Sequence, residues 1–325
     1  MTIILSIFLL TMLVITAIAI VRIRNLFAAV MLSGIFSLLL AANFFLLDAA
    51  DVALTEAAVG AGISTVLFLG ALAMTAETEH SRSTNRGIAK IVTATILLAL
   101  IYAAFDEPSF GDPAAPIHQH VAPWYLETTR EAIDIPNVVT AVLGSFRGYD
   151  TLGEVFVVFT AGIGVLFMLG ARSGGPKRAI PEQTEGLRHY QVPRIVGRML
   201  IPFILLFALY VQFHGEYSPG GGFQAGAIFA AAMILYALLE GEKRALHALP
   251  QKLLVFLIAG GALLYGGVGV VTMLLGGNFL DYSVLADDPV KGQQMGLLVI
   301  EAGVGITVTG VLLSIYHAFA ARDKF

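Results

Sequence analysis

The sequence predicts an all-α membrane protein: a polytopic helical bundle of about nine transmembrane helices, N-terminus outside and C-terminus cytoplasmic. Three observations predict it. Of 325 residues, 57% are hydrophobic and only 13% charged, against about 25% charged in soluble domains, and mean hydropathy is +0.83. Apolar runs of about 20 residues, the length a helix needs to cross the hydrocarbon core, recur along the whole chain. The basic residues also fall on alternate loops, which is how orientation is encoded in membrane proteins.

The runs lie near 2–21, 27–47, 52–75, 88–105, 151–171, 195–213, 222–240, 252–276 and 293–319. The first, Ile3 to Val21, has no basic region ahead of it and no small-residue cleavage site behind it, so a retained helix is expected. Arg22 and Arg24 follow the first run, and Arg82, Arg86 and Lys90 the third. Arg172, Lys177, Arg178, Arg188, Arg194 and Arg198 follow the fifth, Lys243, Arg244 and Lys252 the seventh, and Arg322 and Lys324 the ninth. Sixteen of the 19 basic residues thus share one side of an alternating path, and only Arg130, Arg147 and Lys291 fall on the other. One missed or invented helix would break that pattern.

Between the fourth and fifth runs, Asp106 to Asp150 is too polar to cross and opens with Pro108, Pro113 and Pro116. Its second part, Asn137 to Phe146, spaces Val138, Val139, Val142 and Phe146 as a short helix lying along the outer surface. Arg172 to Arg194 has the composition of a linker and divides five helices from four.

Other classes drop out. A net charge of −4 offers no basic face to nucleic acid. Without cysteine there is no disulfide, thiolate metal site, iron–sulfur cluster or thiol nucleophile. No H-E-x-x-H, P-loop or G-x-S-x-G occurs. No catalytic residue, metal site or cofactor is implied, and any redox chemistry lies in a partner.

Burying a carboxylate in hydrocarbon costs at least ~2.5 kcal/mol, so acids within the spans are functional candidates. Glu56 (LTEAAVGAGIST) lies about one turn into the third run, Glu154 (DTLGEVFVVFTAGIG) one turn into the fifth, and Glu301 (VIEAGVGITVTG) two turns into the ninth. Each is followed by small residues that permit close packing or water. The competing reading places each at the outer interface, met by water or a helix-terminal amide. Asp150, four residues before Glu154, shares its face and either raises its pKa as a like charge or caps the helix.

A further stretch is tightly specified: Val211 to Gly226, VQFHGEYSPGGGFQAG. Pro219 fixes φ, and Gly220, Gly221 and Gly222 allow angles and approaches barred to other residues. Irregular backbone at membrane depth survives only where protein or a wet cavity satisfies it. His214 and Glu216 then stand at a wet mouth, and His214, with an ordinary pKa near 6.5, could shuttle protons. The competing reading is a packing turn with a hydrogen-bonded histidine.

FHGEYSPGGGFQAG followed by AIFAAAMILYALLEG resembles the B subunit of the Mrp-type multisubunit sodium/proton antiporters, over roughly residues 190–325. ALTEAAVGAG resembles the small module near the C-terminus of the large A subunit, also a separate subunit of membrane-bound hydrogenases, and FRGYDTLGE resembles the module after it. The chain looks like the tail of the A subunit fused to the B subunit: 1–110, 111–178 and 179–325. The resemblance implies an accessory, ion-conducting subunit of an assembly related to the membrane arm of complex I. Other antiporter subunits, Na+, H+ and membrane lipid would be its partners, and it would have no catalytic chemistry of its own. An energy-converting hydrogenase or other complex I-related oxidoreductase is the alternative. By motif, Glu56, Asp150 and Glu154 look like the family's ion-path acids. Glu301 and His214 are candidates from the residue reading alone.

Overall fold

The computed structural model describes residues 2–75, 77–79, 86–109, 111–170, 187 and 189–320. Arg82, Arg172, Lys177, Arg178, Arg188, Arg322 and Lys324, together with the linker over 171–186, lie outside these residues.

Among the described residues, nine helices are long and apolar enough to cross a membrane. Helices suit that role because each satisfies its own backbone where no water can. In order, α1 (Thr2–Arg22) and α2 (Leu26–Leu46) pack on each other. Asn25 caps α2, its side chain accepting from the Ala28 amide at 2.8 Å. The third span begins as α3 (Ala50–Thr55), widens into a π-helical segment over Glu56–Ile63, and ends as α4 (Ser64–Leu72). The π segment is where alanine and glycine replace bulky side chains, and its freed carbonyls are partly met by hydroxyls. Ser64 Oγ donates to Gly60 O at 2.5 Å and Thr65 Oγ1 to Ala61 O at 3.0 Å. Nothing in the apolar periodicity signals this widening.

α5 (Arg86–Asp106) is exposed at every position from Gly87 onward. After it, α6 (Pro116–Gln119), α7 (Val121–Ala132) and α8 (Val138–Ala141) lead through a π turn, Val142–Phe146, into α9 (Gly148–Gly170). Two features of the segment between α5 and α9 differ from the sequence reading. α7 is an additional helix, whose Trp124 and Tyr125 pack on Phe146 with ring centroids 5.3 and 5.4 Å away. The helix expected over 137–146 does not simply lie on the surface, since Thr140, Ala141 and Gly144 are buried.

The remaining elements are α10 (Gln191–His214), α11 (Gly222–Glu240), the short α12 (Glu242–Ala248), α13 (Gln251–Leu274), a 3-10 turn at Tyr282–Leu285, and α14 (Pro289–Ala320). α14 is the axis of this half, packing against α13, α11 and α9. Two fully buried tyrosines tie the segment before α9 to it. Tyr265 on α13 donates to Gly148 O at 2.8 Å, and Tyr282 donates to Gly144 O at 3.0 Å, so neither hydroxyl is left unpaired in the interior.

A candidate ion-path cavity beneath the glycine turn

The α10–α11 turn builds the site. Gly220 and Gly221 have φ of +156° and +128°, a region that strongly favours glycine. Gly222, the first residue of α11, has no room for a side chain: a Cβ there would strike the backbone carbonyl of Glu301 on α14. Asn137 holds the turn from outside. Its side-chain amide donates to Gly215 O and Ser218 O at 3.1 Å each and to Asp51 Oδ1 at 3.2 Å, and its backbone amide donates to Glu216 O at 3.0 Å. Its Oδ1 meanwhile accepts from the Val139 and Thr140 amides, capping α8. Thr140 Oγ1 adds a 2.7 Å bond to Gly215 O, and the Gly220 amide donates to Asp51 Oδ1 at 3.3 Å.

Under this turn lies a cavity of about 260 Å³, lined by Asp51, Thr55, Glu154, Gly221, Gln224 and Glu301 among others. It has room for several water molecules, each of which takes about 30 Å³ in the liquid. Gln224 Nε2 donates to Thr55 Oγ1 at 2.8 Å, joining α11 to the third span across it. Asp51 and Glu216 each stand within electrostatic range of Glu301. None of the ion pairs among the described residues involves Asp51, Glu154 or Glu301. Carboxyl groups facing a wet cavity without a fixed cation can exchange protons or receive a passing cation. Outside the span, burial raises the Glu216 carboxyl above the usual carboxylate range.

Of the residues singled out from sequence, Glu301, Glu154 and Gly220 to Gly222 meet at this cavity, with Glu154 exposed at its edge. Pro219 is exposed on the turn's outer side. Three others are placed elsewhere. Glu56 folds along the π segment against Gly60 and beside Ser37 of α2, one residue beyond the Thr55–Gln224 bond. Asp150 is exposed and held by Arg147, whose Nε donates to Oδ2 at 2.6 Å. His214 is exposed and stacks on Tyr210 with ring centroids 4.4 Å apart. Asp51, Thr55, Asn137 and Gln224 escaped the sequence reading. Asn137 could have been found as the N-cap of its short helix. The role of Asp51 depends on a turn 169 residues further on.

The sequence comparisons divide the chain in three. Residues 192–314 match the domain related to the MnhB subunit of Na+/H+ antiporter, residues 11–77 match MbhD of MBH, and residues 91–183 match MbhE of the same assembly. A putative antiporter subunit mnhB2 of Staphylococcus aureus (strain Newman) is 32% identical over 127 residues, which are 38% of this chain and 89% of that protein. The chain belongs to the MnhB-related family of antiporter subunits. It carries the MnhB module behind MbhD and MbhE modules, a fusion of the Mrp type. An uncharacterised protein of Methanocaldococcus jannaschii is 33% identical over 177 residues, covering 50% of this chain and 66% of that protein.

Among solved structures, the Mrp complex from Dietzia sp. DQ12-45-1b aligns over 98% of the MnhB-related chain with a TM-score of 0.77 and 26% identity. The chain spans 35% of the Mrp polypeptide that it matches. The archaeal membrane-bound sulfane sulfur reductase aligns over 71% of this chain and 96% of its own, with a TM-score of 0.56 and 29% identity.

Proposed function

We propose that this chain is a subunit of a multisubunit cation/proton antiporter in the cell membrane, exchanging Na+ for H+ and contributing part of the ion path and an assembly surface. The observation that carries the reading is the cavity beneath the glycine turn, where Glu301, Asp51 and Glu154 gather with no ion pair to a cation among the described residues. Its partners are the other antiporter subunits, a reading supported by the spans among the described residues, none of which carries a lysine at its centre. It has no catalytic chemistry. Ions reach the cavity from the outer end, where the turn and α8 form its rim. Protons or hydrated cations then pass between carboxyls through water, with Thr55 and Gln224 as neutral hydrogen-bonding groups along the wall. Glu56 continues the path toward α2, its carboxyl given room by the π segment. Asp150 and His214 belong to the outer approach. The termini lie outside (N) and in the cytoplasm (C), and the modules divide at 1–110, 111–178 and 179–325.

The test is Na+-dependent pH change in everted vesicles carrying the whole complex, compared with vesicles carrying this chain alone. Exchange by the complex and none by the isolated chain supports the subunit reading; robust exchange by the isolated chain defeats it. A second reading, a membrane-arm component of an energy-converting oxidoreductase, is favoured by the likeness to the sulfane sulfur reductase complex over 71% of the chain. Purification from native membrane separates the two: antiporter subunits copurify in the first case, cluster-bearing subunits in the second.

A further inference from the structure

At the end of the bundle opposite the cavity, three arginines share one carboxylate. Glu240, the last residue of α11, has a fully buried side chain. Its Oε1 accepts from Arg194 Nε at 2.9 Å and pairs as an ion with Arg198 Nε 2.6 Å away. Its Oε2 accepts from Arg194 Nη2 at 3.3 Å and Arg244 Nη1 at 2.6 Å. A guanidinium has five N–H donors and a carboxylate about four acceptor sites, so most donors of this cluster are unused by Glu240, and among the described residues no other carboxylate pairs with these three arginines. The arginines turn outward, with side chains 28%, 50% and 47% exposed for Arg194, Arg198 and Arg244. The cluster borders an exposed apolar face. Ile195, Met199 and Phe203 form an i, i+4, i+8 stripe on α10, each more than half exposed, and Arg198 stands beside them.

We propose that the Arg194–Arg198–Arg244 cluster is a binding site for the phosphodiester headgroup of an anionic phospholipid, whose acyl chain lies along the Ile195–Met199–Phe203 stripe. The buried carboxylate preorganises the site: by gripping one edge of each guanidinium it fixes the others side by side, where planar forks match phosphate oxygens. A free phosphate would use the arginines but not the stripe, so the apolar face selects a lipid. Anionic lipids also concentrate at the basic-rich face of a membrane protein, each nearby arginine adding to their attraction.

The test places the whole complex in nanodiscs containing photoreactive phosphatidylglycerol or photoreactive phosphatidylcholine and maps the labelled peptides. Phosphatidylglycerol should label residues 191–203 in preference to phosphatidylcholine, and added inorganic phosphate should not compete. The double variant Arg198→Gln with Arg244→Gln keeps Arg194 for Glu240 and should cut that preference roughly thirtyfold, from the worth of two basic residues near an anionic surface. Should the double variant not assemble, Arg198→Gln alone should reduce the preference and Arg198→Lys largely restore it. Equal labelling by both lipids, competition by inorganic phosphate, or labelling unchanged by the variants overturns the proposal. So does loss of a neighbouring protein from the variant complex with lipid labelling intact, since the cluster would then hold a protein carboxylate.

Discussion

Gly222 and Glu301 are in backbone contact: the first residue of α11 lies so close to the carbonyl of Glu301 on α14 that no Cβ fits between them. That contact sets α11 against α14 and brings the glycine turn over the Glu301 carboxyl, joining the chain's most specified turn to an acid of the cavity. Gly222→Ala should therefore destabilise the complex by about 1–3 kcal/mol, the usual cost of overpacking. Gly153→Ala, where a Cβ would meet nothing within 4 Å, should be close to neutral. Thermal unfolding of the two purified complexes checks the contrast.

Asn137 is the clamp on that turn. Asn137→Ala removes the side-chain donor to Gly215 O, Ser218 O and Asp51 together with the cap on α8. Loss of such a cap alone costs about 1 kcal/mol. Hydrogen exchange should speed up at residues 215–221 and 138–141 and remain unchanged in α13. Unchanged exchange at residues 215–221 and 138–141 would mean that the clamp is dispensable.

The helices were legible because lipid leaves a chain few options: apolar runs of spanning length can only be helices, and alternating basic loops order them. The glycine turn was legible for a related reason, since SPGGG is costly at membrane depth unless something close by requires it. What brings the site together was not. Asp51, Thr55, Asn137 and Gln224 are ordinary polar residues at helix ends, and their roles arise from contacts between elements that are far apart in sequence. Nor did the acid-then-glycine pattern imply one environment. Glu301 faces the cavity, Glu154 stands at its edge, and Glu56 turns along its own π segment.

Glu216 supplies a pH dependence. Burial raises its folded-state pKa above that of the unfolded chain, so its protonated form contributes stability that is fully present below the ordinary glutamate range. That contribution is lost as pH rises through the raised value. The turn should accordingly loosen as pH rises above the ordinary glutamate range, and Glu216→Gln should flatten the change. Hydrogen exchange at 215–221 across pH, corrected for intrinsic rates, is the readout.

The proposed orientation rests on the basic loops. Cysteines introduced at Ser81 or Ser173, both outside the described residues, should resist an impermeant thiol reagent added from outside, and a cysteine at the exposed Ser109 should react. The reverse labelling pattern would invert the topology.

The most direct test of the ion-path reading is Glu301→Gln in the whole complex. Glutamine keeps the volume and hydrogen-bonding capacity of glutamate but cannot take up and release a proton, so assembly should survive. Glu56→Gln is the companion variant, because its carboxyl lies along the π segment rather than in the cavity. The measurement is Na+-dependent pH change in everted vesicles, with the protein content of the complex checked on a native gel. The account predicts fully assembled complexes in which exchange is abolished by Glu56→Gln and strongly reduced by Glu301→Gln. Normal exchange in an assembled Glu301→Gln complex would contradict it and leave the cavity without a part in ion transfer.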